Sequence, residues 1–248
     1  MGQTCHGPTE PSRFLAQNGG SCLLLPEGAA ERGIVLLHGA QETPETILQN
    51  VELEGLAQEL GAALLLPAIG NSFGLDWGAG QNGRAFLLEE LLPWAGEQCP
   101  CFAQRERCAV GGISMGGYAA LHLALSVPER FGRAFSISGA LELKRAAQLC
   151  RICGVPLPAG FAETAALPEN RLPALLGALS RTTHPKPALC LAWGDGDWFR
   201  KENADFAGKA AALGFSVRTG EGQGNHDWHY WQAVLPSVLR WAAAAFPE

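Results

Sequence analysis

The chain has 248 residues, 47% of them hydrophobic, enough to bury a substantial core, and we read residues 1–248 as one domain. Its formal net charge is −6, with 18 lysines and arginines scattered rather than striped, which argues against nucleic acid or an anionic membrane as a partner. A small neutral or apolar ligand fits that surface better.

In chain order, the first fifteen residues carry Gln3, Thr4, His6 and Glu10 where a leader peptide needs an unbroken apolar core, so a cytoplasmic protein is expected. Apolar runs at 21–26, 33–38, 62–67, 107–111, 133–138, 188–193 and 215–219 read as strands, several so continuously apolar that both faces must be buried. Segments 45–60, 83–95, 116–126, 200–213 and 229–245 have helical period with mixed polar faces. This alternation implies an α/β architecture, a mostly parallel sheet flanked by helices. Between 141 and 187 the pattern gives out in a proline-bearing stretch too long for an ordinary loop. We read it as a partly helical, lid-like insertion over the C-terminal edge of the sheet.

Eight cysteines invite a disulfide framework, but a chain with its own core is expected to keep them reduced. Cys22, Cys108 and Cys190 lie in strand-like runs as small hydrophobes. Cys150 and Cys153 form a Cys-x-x-Cys with redox or half-zinc spacing, and Cys99, Cys101 and Cys108 form a loose cluster. No second pair completes a four-ligand set, so no metal is expected.

The chemistry concentrates in Gly111-Gly112-Ile113-Ser114-Met115-Gly116-Gly117, where an apolar strand meets an Ala/Leu-rich helix. A serine on such a corner is pushed toward positive φ. Glycines two before and two after it let strand and helix pass without a Cβ clash. Its hydroxyl then sits at a helix N-terminus, where partly positive N–H groups favour an oxyanion.

Serine needs an imidazole to take its proton and a carboxylate to orient that imidazole. On an α/β-hydrolase scaffold the order is Ser, acid, His. His6 and His38 precede Ser114, His122 lies on its helix, and His184 precedes the remaining aspartates. His226, on a loop rich in glycine, is read as the base, with His229 as the alternative. The aspartates are Asp76, Asp195, Asp197, Asp205 and Asp227. Asp195 and Asp197 alone follow a strand at the required place, and Asp197, further along the loop, is favoured over a turn-making Asp195. The oxyanion amides are assigned to Ala40, after the strand ending in Leu36-Leu37-His38-Gly39, and to Met115. His38 is read as bonding loop backbone.

Five segments, LLHG at 36–39, GGISMGGYAALHLAL at 111–125, PERFGRAFSISGAL at 128–141, GDGDWF at 194–199 and GNHDWHYW at 224–231, occur here in one order. Together they make the chain resemble the "putative esterase" family of α/β hydrolases, which includes esterase D (S-formylglutathione hydrolase), and most closely the tributyrin-type acetyl esterases. The resemblance implies an α/β-hydrolase fold, Ser114 as nucleophile, Asp197 as acid, His226 as base and Ala40 as an oxyanion amide. It departs from the family at 71–81, where relatives often carry a tyrosine before the aspartate; the 141–187 insertion carries no motif that aligns with the family, and Cys150 and Cys153 carry no family meaning.

The reaction expected is hydrolysis of short-chain acyl esters through an acyl-enzyme, without a cofactor. Trp77 and Trp198 are the candidate substrate-binding residues. S-formylglutathione hydrolysis, removal of acetyl or feruloyl groups from carbohydrate, and a catalytically silent binding protein are the alternatives. A small-molecule ester is the expected partner, and self-association is left open.

Overall fold

The computed structural model describes residues 3–7, 12–16, 20–78 and 80–244, so part of the N-terminal segment and the expected helix end at 245 lie outside the described residues. The strands are β1 (Gln3–His6), β2 (Cys22–Leu25), β3 (Arg32–Leu37), β4 (Ala62–Leu66), β5 (Cys108–Ile113), β6 (Arg133–Ile137), β7 (Ala188–Gly194) and β8 (Val217–Gly222). They form one sheet in the order β1-β2-β4-β3-β5-β6-β7-β8. From β4 to β8 every neighbouring pair is parallel, whereas β1 and β2 join antiparallel at one edge.

The apolar runs produce this sheet because successive side chains leave a strand on opposite faces. In β3, Val35 and Leu37 enter one core while Ile34 and Leu36 enter the other. Leu65 of β4 and Val110 of β5 join the first core, and Leu64 and Ala109 the second. Helices α1 (Pro44–Asn50), α2 (Leu53–Leu60) and α10 (Trp228–Ala243) cover the second face through Ile47, Leu56 and Leu235. The first face is covered by α3 (Gly83–Ala85), α4 (Leu92–Gln98), α5 (Met115–Ser126), α6 (Leu143–Ile152), α7 (Phe161–Ala166), α8 (Leu172–Ser180) and α9 (Arg200–Ala212).

Four boundaries differ from the sequence expectation for identifiable reasons. The helix expected over 45–60 is two, because Val51 is extended and the Glu52 carboxylate accepts the Gly55 amide, starting α2 afresh. Between α3 and α4 the chain widens into a π-turn at Phe86–Leu91, just before Pro93, which has no N–H to return along the helix. The strand expected at 215–219 begins at Val217. Phe215 is instead buried beneath α9, its amide donating to Ala210 O, and the ladder with β7 runs on to Gly222. Strand β1 escaped notice because Gln3–His6 is polar, an edge strand defined by its pairing with β2.

The stretch 141–187 contains α6, α7 and α8, held to α5 where the Tyr118 hydroxyl donates to Asn170 O (2.7 Å) and His122 Nε2 donates to Glu169 O (3.0 Å). Among the described residues no helix is long and apolar enough to cross a membrane.

Candidate active site

Ser114 stands between β5 and α5 with φ 54° and ψ −112°, a backbone conformation that costs a non-glycine residue about 1–3 kcal/mol. The surroundings impose it. A Cβ on Gly112 would lie 2.5 Å from the Gly116 backbone, and one on Gly116 would lie 2.3 Å from Leu37 O, so β3, β5 and α5 approach this closely only through glycine. The Ser114 amide donates to Ile137 O (2.9 Å), and its carbonyl accepts from Gly117 (3.0 Å), Tyr118 (3.2 Å) and Ala140 (3.1 Å).

The structure brings His226 and Asp197 to this serine. Ser114 Oγ is 2.9 Å from His226 Nε2, and both carboxylate oxygens of Asp197 are 3.2 Å from His226 Nδ1. A neutral imidazole with its proton on Nδ1 satisfies the whole chain, donating to Asp197 and accepting from the Ser114 hydroxyl. The loops after β7 and β8 deliver the two groups together: Asp195 N donates to Gly222 O (2.8 Å) and Gly196 N to Gly224 O (2.9 Å).

Three aromatic rings fix the imidazole. Trp198 stacks on it at 5.4 Å, while Phe199 and Trp231 each meet it edge-on at 5.0 Å. Trp231 also donates through Nε1 to Ser138 Oγ (3.0 Å), leaving the Ser138 hydroxyl to donate to Asp197. Burial pushes the Asp197 carboxyl up. The hydrogen bond and charge of His226, the Ser138 hydroxyl and the Phe199 amide (2.7 Å) outweigh it and hold the group below its usual range.

The other candidates fall elsewhere. Asp195 accepts the Gly224 amide, Asp227 caps α10 by accepting from Tyr230 N, Asp76 accepts from Ala85 N, and Asp205 pairs with Lys201. His229 is exposed on the first turn of α10. His38 is buried, donating through Nδ1 to Gly39 O (2.7 Å) while Nε2 accepts from Ile69 N (3.2 Å). Burial holds it below the usual histidine range, despite the opposing Gly39 hydrogen bond.

Ala40 and Met115 both line the cleft above Ser114, and among the described residues neither amide has a protein acceptor. The cleft volume is about 190 Å³, and Phe73, Leu149, Val155 and Trp198 give it apolar walls. Cys150, buried, and Cys153, exposed, also face it from the end of α6. Trp77 does not line this cleft. Its Nε1 donates to Ser72 O (2.7 Å) and its ring stacks on Phe161 at 5.2 Å; Phe161 in turn packs edge-on against Phe73, so Phe73 is the residue this segment presents. Sequence reasoning also missed Ser138, which has positive φ (53°), and Glu42, which lines the cleft. The acidic residue three places after Gly39 was the available signal for Glu42. Nothing in the local pattern marks Ser138.

A family model described as "Putative esterase" matches residues 34–242. The chain belongs to that family. This esterase is similar to an acetyl esterase of Caldicellulosiruptor saccharolyticus, 26% identical over 223 residues that make up 84% of this chain and 82% of the relative. Among solved structures it is similar to FphF, a fluorophosphonate-binding serine hydrolase of Staphylococcus aureus, with a TM-score of 0.87 at 20% identity over 98% of this chain and 99% of that one. It is also similar to the S-formylglutathione hydrolase FrmB of Staphylococcus aureus, with a TM-score of 0.82 at 20% identity over 98% and 99% of the two chains. The esterase therefore has the α/β-hydrolase fold and is an ester-hydrolysing enzyme.

Proposed function

We propose that this esterase is a serine carboxylesterase acting on short-chain acyl esters through a covalent acyl-enzyme. The observation that carries the reading is the unbroken hydrogen-bonded line from Ser114 Oγ through His226 to Asp197. His226 Nε2 takes the hydroxyl proton as Ser114 Oγ attacks the ester carbonyl. Asp197 stabilises the resulting imidazolium, and the Ala40 and Met115 amides bind the tetrahedral oxyanion. The imidazolium returns its proton to the departing alkoxide, leaving the acyl group on Ser114. Water then repeats the sequence, with His226 again as base, and releases the acid.

The cleft supports a short acyl group. Its volume is about 190 Å³, and the apolar walls of Phe73, Leu149, Val155 and Trp198 stand beside Ser114, where a small acyl group would lie. No lysine or arginine is among the described residues that line it, so nothing in this wall complements the carboxylates of a glutathione thioester. We read the helices of 141–187 as the substrate-selecting wall of the cleft, through Leu149, Cys150 and Val155 of α6 and the turn after it.

A fluorophosphonate probe followed by mass spectrometry tests the nucleophile, and a panel of p-nitrophenyl acetate, butyrate and octanoate with formylglutathione and acetylated xylan tests the substrate. Labelling at Ser114, loss of several orders of magnitude in turnover for Ser114→Ala, and preference for acetate and butyrate are expected. Labelling elsewhere together with unchanged turnover in Ser114→Ala overturns the mechanism. Preference for formylglutathione or xylan overturns the substrate assignment.

A further inference from the structure

We propose that Glu42 is a positioning residue for this reaction, a strut that ties the Gly39–Ala40 turn to Trp228 beside the His226 loop and so aims the Ala40 amide at the oxyanion. The inference rests on the hydrolytic reading above and adds a residue that reading does not use.

Glu42 grips Gly39 twice. Its side-chain Oε2 accepts from Gly39 N (2.9 Å), and its own amide donates to Gly39 O (3.2 Å). His38 Nδ1 donates to that same carbonyl at 2.7 Å. The carbonyl of Gly39 and the amide of Ala40 belong to one planar trans peptide, so fixing the oxygen on one side aims the N–H to the opposite side. Gly39 must lack a side chain for this to work, since a Cβ there would lie 2.7 Å from Glu42 Oε2.

The second carboxylate oxygen reaches the first turn of α10. Glu42 Oε1 accepts from Trp228 Nε1 at 2.7 Å, joining residues 186 positions apart. Trp228 meets Trp231 edge-on at 5.4 Å, and Trp231 meets His226 edge-on at 5.0 Å. The strut therefore connects the oxyanion turn to the tryptophan that braces the base.

No competing structural task accounts for Glu42. The N-terminus of α1 has its own side-chain partner, Thr46 Oγ1 accepting from Thr43 N (3.3 Å), and the Glu42 carboxylate takes none of its amides. Both carboxylate oxygens are held by donors, one by Gly39 N and one by Trp228 Nε1. Burial pushes the group up from the usual carboxylate range, opposed by the Gly39 amide, the Trp228 indole and the charge of His226.

The test compares Glu42→Ala, Glu42→Gln and Trp228→Phe with wild type, measuring kcat and KM on p-nitrophenyl acetate and the affinity for a short alkyl boronic acid. Ser114 Oγ adds to boron as its proton passes to His226, giving a tetrahedral adduct with an oxygen where the oxyanion forms. Losing a whole oxyanion donor costs about 10²–10³ in kcat, so misaiming one is expected to cost about 10–100-fold in Glu42→Ala, with KM within about threefold. Boronic-acid affinity is expected to fall by a similar factor. Glu42→Gln keeps one acceptor and is expected to be intermediate, and it carries the test if the alanine variant does not fold. Trp228→Phe is expected to lower kcat and boronic-acid affinity together to a smaller degree. Variants that change kcat less than about threefold, or that move KM instead, overturn the strut while leaving the hydrolytic mechanism standing. Wild-type enzyme that forms no boronate adduct at Ser114 overturns both.

Discussion

Replacing Asp197 with asparagine tests the proton-transfer chain at its least exposed point, because the surroundings dictate how the new amide must lie. The Phe199 amide donates to Asp197 Oδ1 at 2.7 Å, so the asparagine oxygen takes that position and its NH2 takes the place of Oδ2. That NH2 then lies 3.2 Å from His226 Nδ1, where a proton already stands on the ring. Two donors facing one another drive the imidazole to its other tautomer, with the proton on Nε2 pointing at Ser114 Oγ. The base is then blocked by its own hydrogen. The contact from Nδ1 to Oδ1, also 3.2 Å, survives only in competition with the Phe199 amide. A loss of about 10³-fold in kcat/KM is expected, about 4 kcal/mol at 1.36 kcal/mol per factor of ten. Hydrolysis of p-nitrophenyl acetate across pH, with thermal melts on the same samples, measures it. A loss below about tenfold in a folded variant would refute the tautomer argument.

Glu202 is the second target. Its Oε1 accepts from Leu141 N at 2.8 Å, and burial, only partly opposed by the backbone hydrogen bonds of Leu141 and Glu142, pushes the group up to about 8. A carboxyl raised in the folded state favours folding in its protonated form, so its contribution is fully present below the unfolded carboxylate range and is lost as pH rises from there through about 8. Glu202→Gln is therefore expected to raise the melting temperature at pH 8 to 9, on the order of 1–3 kcal/mol of stability, with the gain vanishing near pH 4. A pH series of melts checks it, and a gain that grows on acidification would contradict the sign. Cys153 offers a third test, being exposed on the cleft wall while Cys150 is buried. A bulky maleimide is expected to label Cys153 first and to lower kcat/KM at least about tenfold, and Cys153→Ser is expected to protect. Mass spectrometry locates the label.

Much of the site was legible because its chemistry is tied to local pattern. The glycines around Ser114 are dictated by backbone packing that a linear motif records faithfully, and a chain with five aspartates leaves little choice of acid. The unbroken apolar character of runs such as Ile34 to Leu37 made the two-faced sheet equally plain. What could not be read depends on loops meeting in space. Trp77 is the conspicuous residue of its segment in the sequence, yet the position of Phe161 decides which ring of that loop faces the cleft, and it is Phe73. Ser138 and Trp231 meet only because β6 and α10 converge behind Asp197, and Glu42 meets Trp228 across most of the chain. The break at Val51 was hidden for a smaller reason, since helical period ran straight through it and glutamate, which caps α2 here, is not a usual N-cap residue.

His226, the proposed general base, hangs from the loop after β8, the outermost strand on its side of the sheet, paired among the described residues to β7 alone and largely open to solvent. Such margins fray at lower free energy than the interior strands that carry Ser114. Gentle warming or mild denaturant would thus silence turnover while the bulk of the fold still stands. On this reading the working lifetime of the catalyst would follow this one hem of the sheet sooner than the depth of its core.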